Sequence, residues 1–86
     1  MNKETQAFVL TMEECGELTQ ACSKVLRRGG DEKSLSDLKD EAGDVLCMIE
    51  LLIQLGYLNQ LDLDERKKFK KLKLKSALSK LEVNTL

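Results

Sequence analysis

Five acidic side chains are spaced so that several of them can act on one ion. Glu13, Glu14 and Glu17 form a short run, and Glu41 and Asp44 repeat a three-residue step further along the chain. Residues three apart on a helix share a face, with β-carbons about 5–6 Å apart. Glu14 with Glu17, and Glu41 with Asp44, can therefore each converge on a cation. Carboxylates gathered in this way repel one another strongly unless something neutralises them. Oxygen donors suit a hard divalent ion, Mg2+ first and Mn2+ second, before zinc. The chain has no histidine, and Cys15, Cys22 and Cys47 form no C-x-x-C pair, which argues against a zinc site of the usual nitrogen and sulfur kind.

The elements that must position these acids are helices. Proline and tryptophan are absent and glycines number 5, a composition that favours helix over strand. A first helix is expected from Glu4 to Arg28, with Phe8, Met12, Leu18, Cys22, Val25 and Leu26 at helical spacing and Gly29-Gly30 as its stop. A second is expected to open at Ser34 as N-cap, with Asp37 as a box-like partner. It carries Leu38, Val45, Met48, Leu51, Leu52 and Leu55, and stops at Gly56. A third starts near Asp62 and is strongly basic. Its apolar positions, Phe69, Leu72, Leu78 and Leu81, are sparser, and Lys71-Leu-Lys-Leu-Lys75 alternates like a strand, which leaves helix beyond Leu72 open. Residues from Glu82 onward are expected to fray.

Short connections make the first two helices an antiparallel hairpin. In that register Ala7, Leu10, Glu14, Glu17 and Ala21 form one stripe, and Glu41, Asp44, Met48, Leu51 and Leu55 another. Both acidic pairs thus lie in line with apolar positions. Gly16 and Gly43 fall inside the two pairs. A mid-helix glycine costs about 1 kcal/mol against alanine, so both suggest a tight backbone approach or room for a ligand. A lone E-x-x-E is more often a solvated helix face than a site; two pairs in register on neighbouring helices weigh more.

At 86 residues the chain is one domain, residues 1–86, too small to bury a generous core alone, so a homo-oligomer is expected. No signal peptide or membrane span is visible, and unpatterned cysteines fit a reducing compartment as small packing residues; the expected location is the cytoplasm. Charge is unevenly divided: residues 1–65 hold 14 acidic and 6 basic side chains, residues 66–86 hold 1 and 8. An acidic body carries a basic tail.

The residues Glu14-Cys-Gly-Glu17 and Glu41-Ala-Gly-Asp44, within EECGELTQACSKVLRRGG and LKDEAGDVLCMIELL, resemble the signature of the MazG-like all-α nucleotide pyrophosphohydrolases, in their short bacterial and phage form. The likeness covers residues 8–58 and implies an all-α fold: a hairpin with a third basic helix, dimerising or tetramerising into four-helix bundles. It also implies magnesium held by Glu14, Glu17, Glu41 and Asp44, and cleavage of a nucleoside triphosphate to monophosphate and pyrophosphate. Glu13 matches an acid that not all relatives keep. Glu13 or one of the ligands, Glu17 among them, is the candidate acceptor of the attacking water's proton. Lys24, Arg27 and Arg28, one to two turns on, are candidates to steady the triphosphate, although a solvated helix end explains at least one arginine. The likeness further implies a lysine of the third helix on phosphate or base; among Arg66, Lys67, Lys68, Lys70, Lys71, Lys73 and Lys75 no single one can be assigned, and the simplest reading is a basic helix that lines or covers the acidic pocket.

Two other readings compete. One is a nucleic-acid- or partner-binding module using the basic helix; nucleic acid is set aside as a partner because the body is acidic and aromatic residues are scarce. The other is a catalytically silent helical dimer.

Overall fold

The computed structural model describes residues 1–78. Among them are three helices and no strand: α1 (Lys3–Arg27), α2 (Glu32–Gln54) and α3 (Gln60–Ala77). The expected fraying from Glu82, and the apolar position Leu81, lie outside the described residues.

Each helix begins where a short polar side chain can satisfy its free amides. Asn2 Oδ1 accepts from the Thr5 amide at 2.8 Å and opens α1. The start of α2 differs from expectation. Asp31, not Ser34, is the N-cap, and its Oδ1 accepts from the Ser34 amide at 2.8 Å. Ser34 sits inside the first turn with 0% exposure, its hydroxyl donating to the Asp31 carbonyl at 3.0 Å. Asp31 can cap sooner because Gly29 and Gly30, at φ 65° and 72°, turn the chain immediately after α1. Asp37 takes no part in the cap and instead pairs with Lys33 at 2.8 Å. Likewise α3 starts earlier than Asp62: Asn59 caps it, accepting from the Leu61 amide at 2.9 Å. The alternation in Lys71–Lys75 does not interrupt it, and the helix runs to Ala77.

The expected stops hold. Gly30 N–H returns to the Val25 carbonyl at 2.9 Å, and Tyr57 N–H to the Leu52 carbonyl at 3.0 Å past Gly56, which has φ 87°.

The hairpin α1–α2 is where helices pack; α3 scarcely touches either. The seam follows a three-four spacing. On α1 it is Ala7, Thr11, Glu14, Leu18, Ala21 and Val25; on α2 it is Ser34, Leu38, Glu41, Val45, Met48, Leu52 and Leu55, each buried or half-buried. Leu10 and Glu17, expected in this row, lie exposed at its edge, as does Asp44. Only Ala7 (2%), Ala21 (3%) and Leu52 (7%) are buried apolar residues among those described. Phe8 meets Tyr57 edge to face, ring centroids 4.8 Å apart, and fastens the start of α1 to the turn after α2.

The apolar residues of α1 therefore divide between two faces. Leu18 and Val25 enter the seam, whereas Phe8, Met12, Cys15, Cys22 and Leu26 form a second, exposed row. On α2 the matching row is Leu35, Ala42, Leu46, Ile49 and Ile53. At about 100° per residue each row stands roughly a quarter to a third of a turn past its seam in the chain direction. For antiparallel helices that is the same side of the hairpin. Glu17 and Asp44 stand on the other side, before the seam. The cysteines are accordingly exposed rather than packed, because Cys15 and Cys22 belong to the outward row and Cys47 also points away from the seam.

Candidate metal centre

The seam brings the two acidic pairs together. Glu14 and Glu41 occupy inward positions of their rows, half-buried, while Glu17 and Asp44 flank them on the exposed rim. One carboxylate oxygen from each of the four lies within 4.8 Å of every other. Oxygens bound to one Mg2+ at about 2.1 Å are at most about 4.2 Å apart, so a small side-chain movement suffices to close on an ion.

The cluster is strained as it stands. Glu14 Oε2 and Glu41 Oε2 are buried with no hydrogen-bond partner. Such groups are rare, since an unpaired buried polar atom loses its hydration without compensation. Burial, followed by the neighbouring charges of Glu17 and Asp44, pushes the Glu14 carboxyl above its ordinary value. Glu41 is pushed up as well, first by the Glu17 carboxyl group beside it and then by burial. Every charged neighbour that shifts these two groups is another acid. An all-oxygen donor set and two orphaned buried oxygens together fit a hard divalent ion.

Beside the acids, a cleft of about 340 Å³ opens along the same side of the hairpin, lined by Glu17, Gln20, Ala21, Lys24, Asp37 and Glu41. Lys24 is thus brought to the site. Arg28 is not among the lining residues; it stands at the end of α1, where its charge acts on Asp31 and Asp37. Arg27 is exposed in the last turn of α1. Glu13 is exposed and outside the four-oxygen cluster, though close enough for its charge to raise Glu14.

The α3 cations expected over the acids do not line this cleft. Gln20 is not singled out in the sequence, and Asp37 only as a capping partner. The signal was present, because Gln20 follows Glu17 by three residues and Asp37 precedes Glu41 by four, each on its neighbour's face. Gly16 and Gly43 have open space around them: a β-carbon on either would meet nothing within 4 Å. They do not mark a close approach of α1 to α2, since both point away from the seam.

The profile of the MazG nucleotide pyrophosphohydrolase domain matches residues 3–76, nearly the whole chain. The chain belongs to this family. Neither the curated proteins nor the solved structures yielded a match. For a MazG domain, the finding that matters is that both halves of the signature, Glu14/Glu17 and Glu41/Asp44, face each other across one seam. No helix among the described residues is long and apolar enough to cross a membrane.

Proposed function

We propose that this MazG domain hydrolyses nucleoside triphosphates to monophosphate and pyrophosphate with Mg2+, or Mn2+ in its place, held by Glu14, Glu17, Glu41 and Asp44. The observation that carries the reading is the convergence of four carboxylate oxygens within 4.8 Å, two of the residues having a buried, unpartnered oxygen. Bound there, the ion supplies charge screening for the phosphates and a more acidic water.

The chain's own groups do the rest. Lys24 lines the adjoining cleft, where its ammonium can hold a phosphate oxygen of the triphosphate. Gln20, on the same wall, offers an amide donor. Glu17 stands at once in the acidic cluster and in the cleft, so it borders both the ion and the reacting phosphate. It is the best-placed acceptor for the proton of the attacking water, with exposed Glu13 a helper at most. The water oxygen bonds to the α-phosphorus, the bridging bond toward the β-phosphate breaks, and pyrophosphate leaves. Arg28, outside the cleft, serves the helix end and the Asp31 turn.

The same reading includes self-association. Met12 (66% exposed), Leu26 (84%) and Leu46 (62%) lie on the apolar side of the hairpin, away from the cleft. A second copy covering that side builds the bundle without closing the acidic side.

Incubation with a panel of nucleoside triphosphates and magnesium tests the chemistry. Monophosphate and pyrophosphate are expected, and Glu17→Gln or Asp44→Asn should abolish their formation with helix content kept. Diphosphate and inorganic phosphate as products would refute the cleavage position. Leu46→Glu should shift the native mass toward the monomer.

A further inference from the structure

The side of the hairpin that holds Glu17 and Asp44 changes character along its length. Toward the Gly29-Gly30 turn it is polar and carries cations. Lys24 lines the cleft there with Gln20 and Asp37, and Lys33 pairs with Asp37 at 2.8 Å. The Lys24 charge also acts on Asp37 from across the seam, so both helices bring positive charge to this end.

Beyond the acids, toward the start of α1, the same side turns apolar. Leu10 is 44% exposed one turn before Glu14; on α2, exposed Cys47 and half-buried Leu51 come after Asp44. Leu10 with Glu17, and Asp44 with Leu51, are seven residues apart, which on a helix is two turns to within about 20°. Each apolar residue therefore stands in line with an acid of the cluster, and Cys47 stands at the outer edge of the α2 row. The helices run antiparallel and Glu14 meets Glu41, so positions before Glu14 lie opposite positions after Glu41. Leu10, Cys47 and Leu51 thus share one end of the site.

We propose that the nucleotide lies lengthwise on this side, its β- and γ-phosphates toward Lys24 and the turn and its nucleoside over Leu10, Cys47 and Leu51. This rests on the hydrolase reading and gives that site a direction. A nucleoside triphosphate is a polyanion at one end and a flat, largely apolar base at the other, with the scissile bond between them. Along the hairpin the order is the same: cations, acids that can hold an ion, apolar side chains. The reverse orientation would set the base among Gln20, Lys24, Asp37 and Glu41, where Ala21 is the apolar lining residue. It would also bring phosphates over leucine. Lys24 can serve from two turns beyond Glu17 because helical side chains tilt toward the N-terminus, here back toward the acids. Exposed Gln6, one turn before Leu10 on the same side, adds an amide that both donates and accepts toward a base edge. A second copy covering the opposite side leaves this end open. Leu10 and Leu51 are accordingly the specificity-determining contacts to the nucleoside.

Cys47 makes the orientation measurable without turnover. The full chain is alkylated with iodoacetamide in the presence of magnesium, and each cysteine is followed by peptide mass spectrometry. An α,β-methylene nucleoside triphosphate, with each common base in turn, is the probe. At about ten times its dissociation constant it leaves about one site in eleven free, so Cys47 should react about elevenfold more slowly. Cys15 and Cys22, on the other side of the hairpin, should react as before. Inorganic tripolyphosphate, which has the phosphates and no nucleoside, should leave Cys47 unprotected. Leu10→Ala should raise KM for nucleoside triphosphates about tenfold and leave the inhibition constant of tripolyphosphate where it was. Protection of Cys47 by nucleotide and not by tripolyphosphate supports the orientation whether or not a bond is cut; absence of turnover would then count against the hydrolase reading alone. Cys47 left unprotected by nucleotide, or protected equally by tripolyphosphate, overturns the proposal even where monophosphate and pyrophosphate form. So does an L10A KM equal to that of the wild type.

Discussion

Replacing Glu41 by glutamine should have opposite effects on stability with and without magnesium. The amide keeps the size of the side chain and removes one of four converging charges. Glu41 Oε2 is buried without a partner, and the neighbouring Glu17 carboxyl group, together with burial, already favours an uncharged group there. Near neutral pH the metal-free variant should therefore melt above the metal-free wild type. With magnesium the order should reverse. An ion at about a hundred times its dissociation constant stabilises a fold by about 2.7 kcal/mol. For a domain of this length, each kcal/mol moves the melting temperature by about 4–8 °C, so the wild type should gain about 11–22 °C. If loss of one ligand weakens the ion about a hundredfold, the same magnesium concentration stabilises the variant by only about 0.4 kcal/mol, or about 2–3 °C. Thermal melts followed by circular dichroism, with chelator and then across a magnesium series, read both arms. If the metal-free variant melts below the wild type, or both gain equally from magnesium, the account of a repelling cluster that awaits a cation is refuted.

Other expectations follow from the same geometry. Glu14 and Glu41 are held above the ordinary glutamate value of 4.5, so the folded metal-free chain binds protons more tightly than the unfolded one and loses stability as pH rises above that value. Asp31 and Asp37, held below the ordinary 3.8 by Ser34 and Lys33, contribute stability that is lost as pH falls through their lowered values. The metal-free melting temperature should peak between these ranges; a steady climb toward neutrality would contradict the assignment. Leu52→Ala removes the largest of the three buried apolar side chains among the described residues and should cost about 2–5 kcal/mol, measured by urea unfolding. Gly16→Ala and Gly43→Ala should each add about 1 kcal/mol, since nothing lies within 4 Å of the added carbon. A loss of turnover in either would show that substrate or a second copy approaches there.

The four acids and the helices that carry them were legible because each signal is local. Three-residue spacing needs only one helix, and Gly29-Gly30 and Gly56 stop helices through their own backbone freedom. Starts were less legible because several polar residues compete for each cap. Asp31 displaced Ser34, whose hydroxyl could then be buried by turning back to the Asp31 carbonyl. The seam was half readable. Spacing puts Glu14 and Glu41 in it, but it also puts Leu10 and Glu17 in a row that Thr11 and Leu18 occupy. One-residue ambiguities of this kind are settled by which neighbour a helix meets, and spacing along one helix does not contain that. The cysteines illustrate the same point: their small apolar character predicts packing, yet they lie on faces that this chain alone leaves open.

The turn between α1 and α2 is also an alignment device. Two consecutive residues in the left-handed region, Gly29 and Gly30, bring the chain about in very little length, and the Asp31 cap fixes where the return helix begins. Each residue advances a helix by about 1.5 Å and about 100°. One residue inserted in this linker would pass its offset to every rung of the returning helix, and Glu41 and Asp44 would no longer stand level with their counterparts. Sequences that preserve every ligand but lengthen this joint would keep the letters of the motif and lose its meaning.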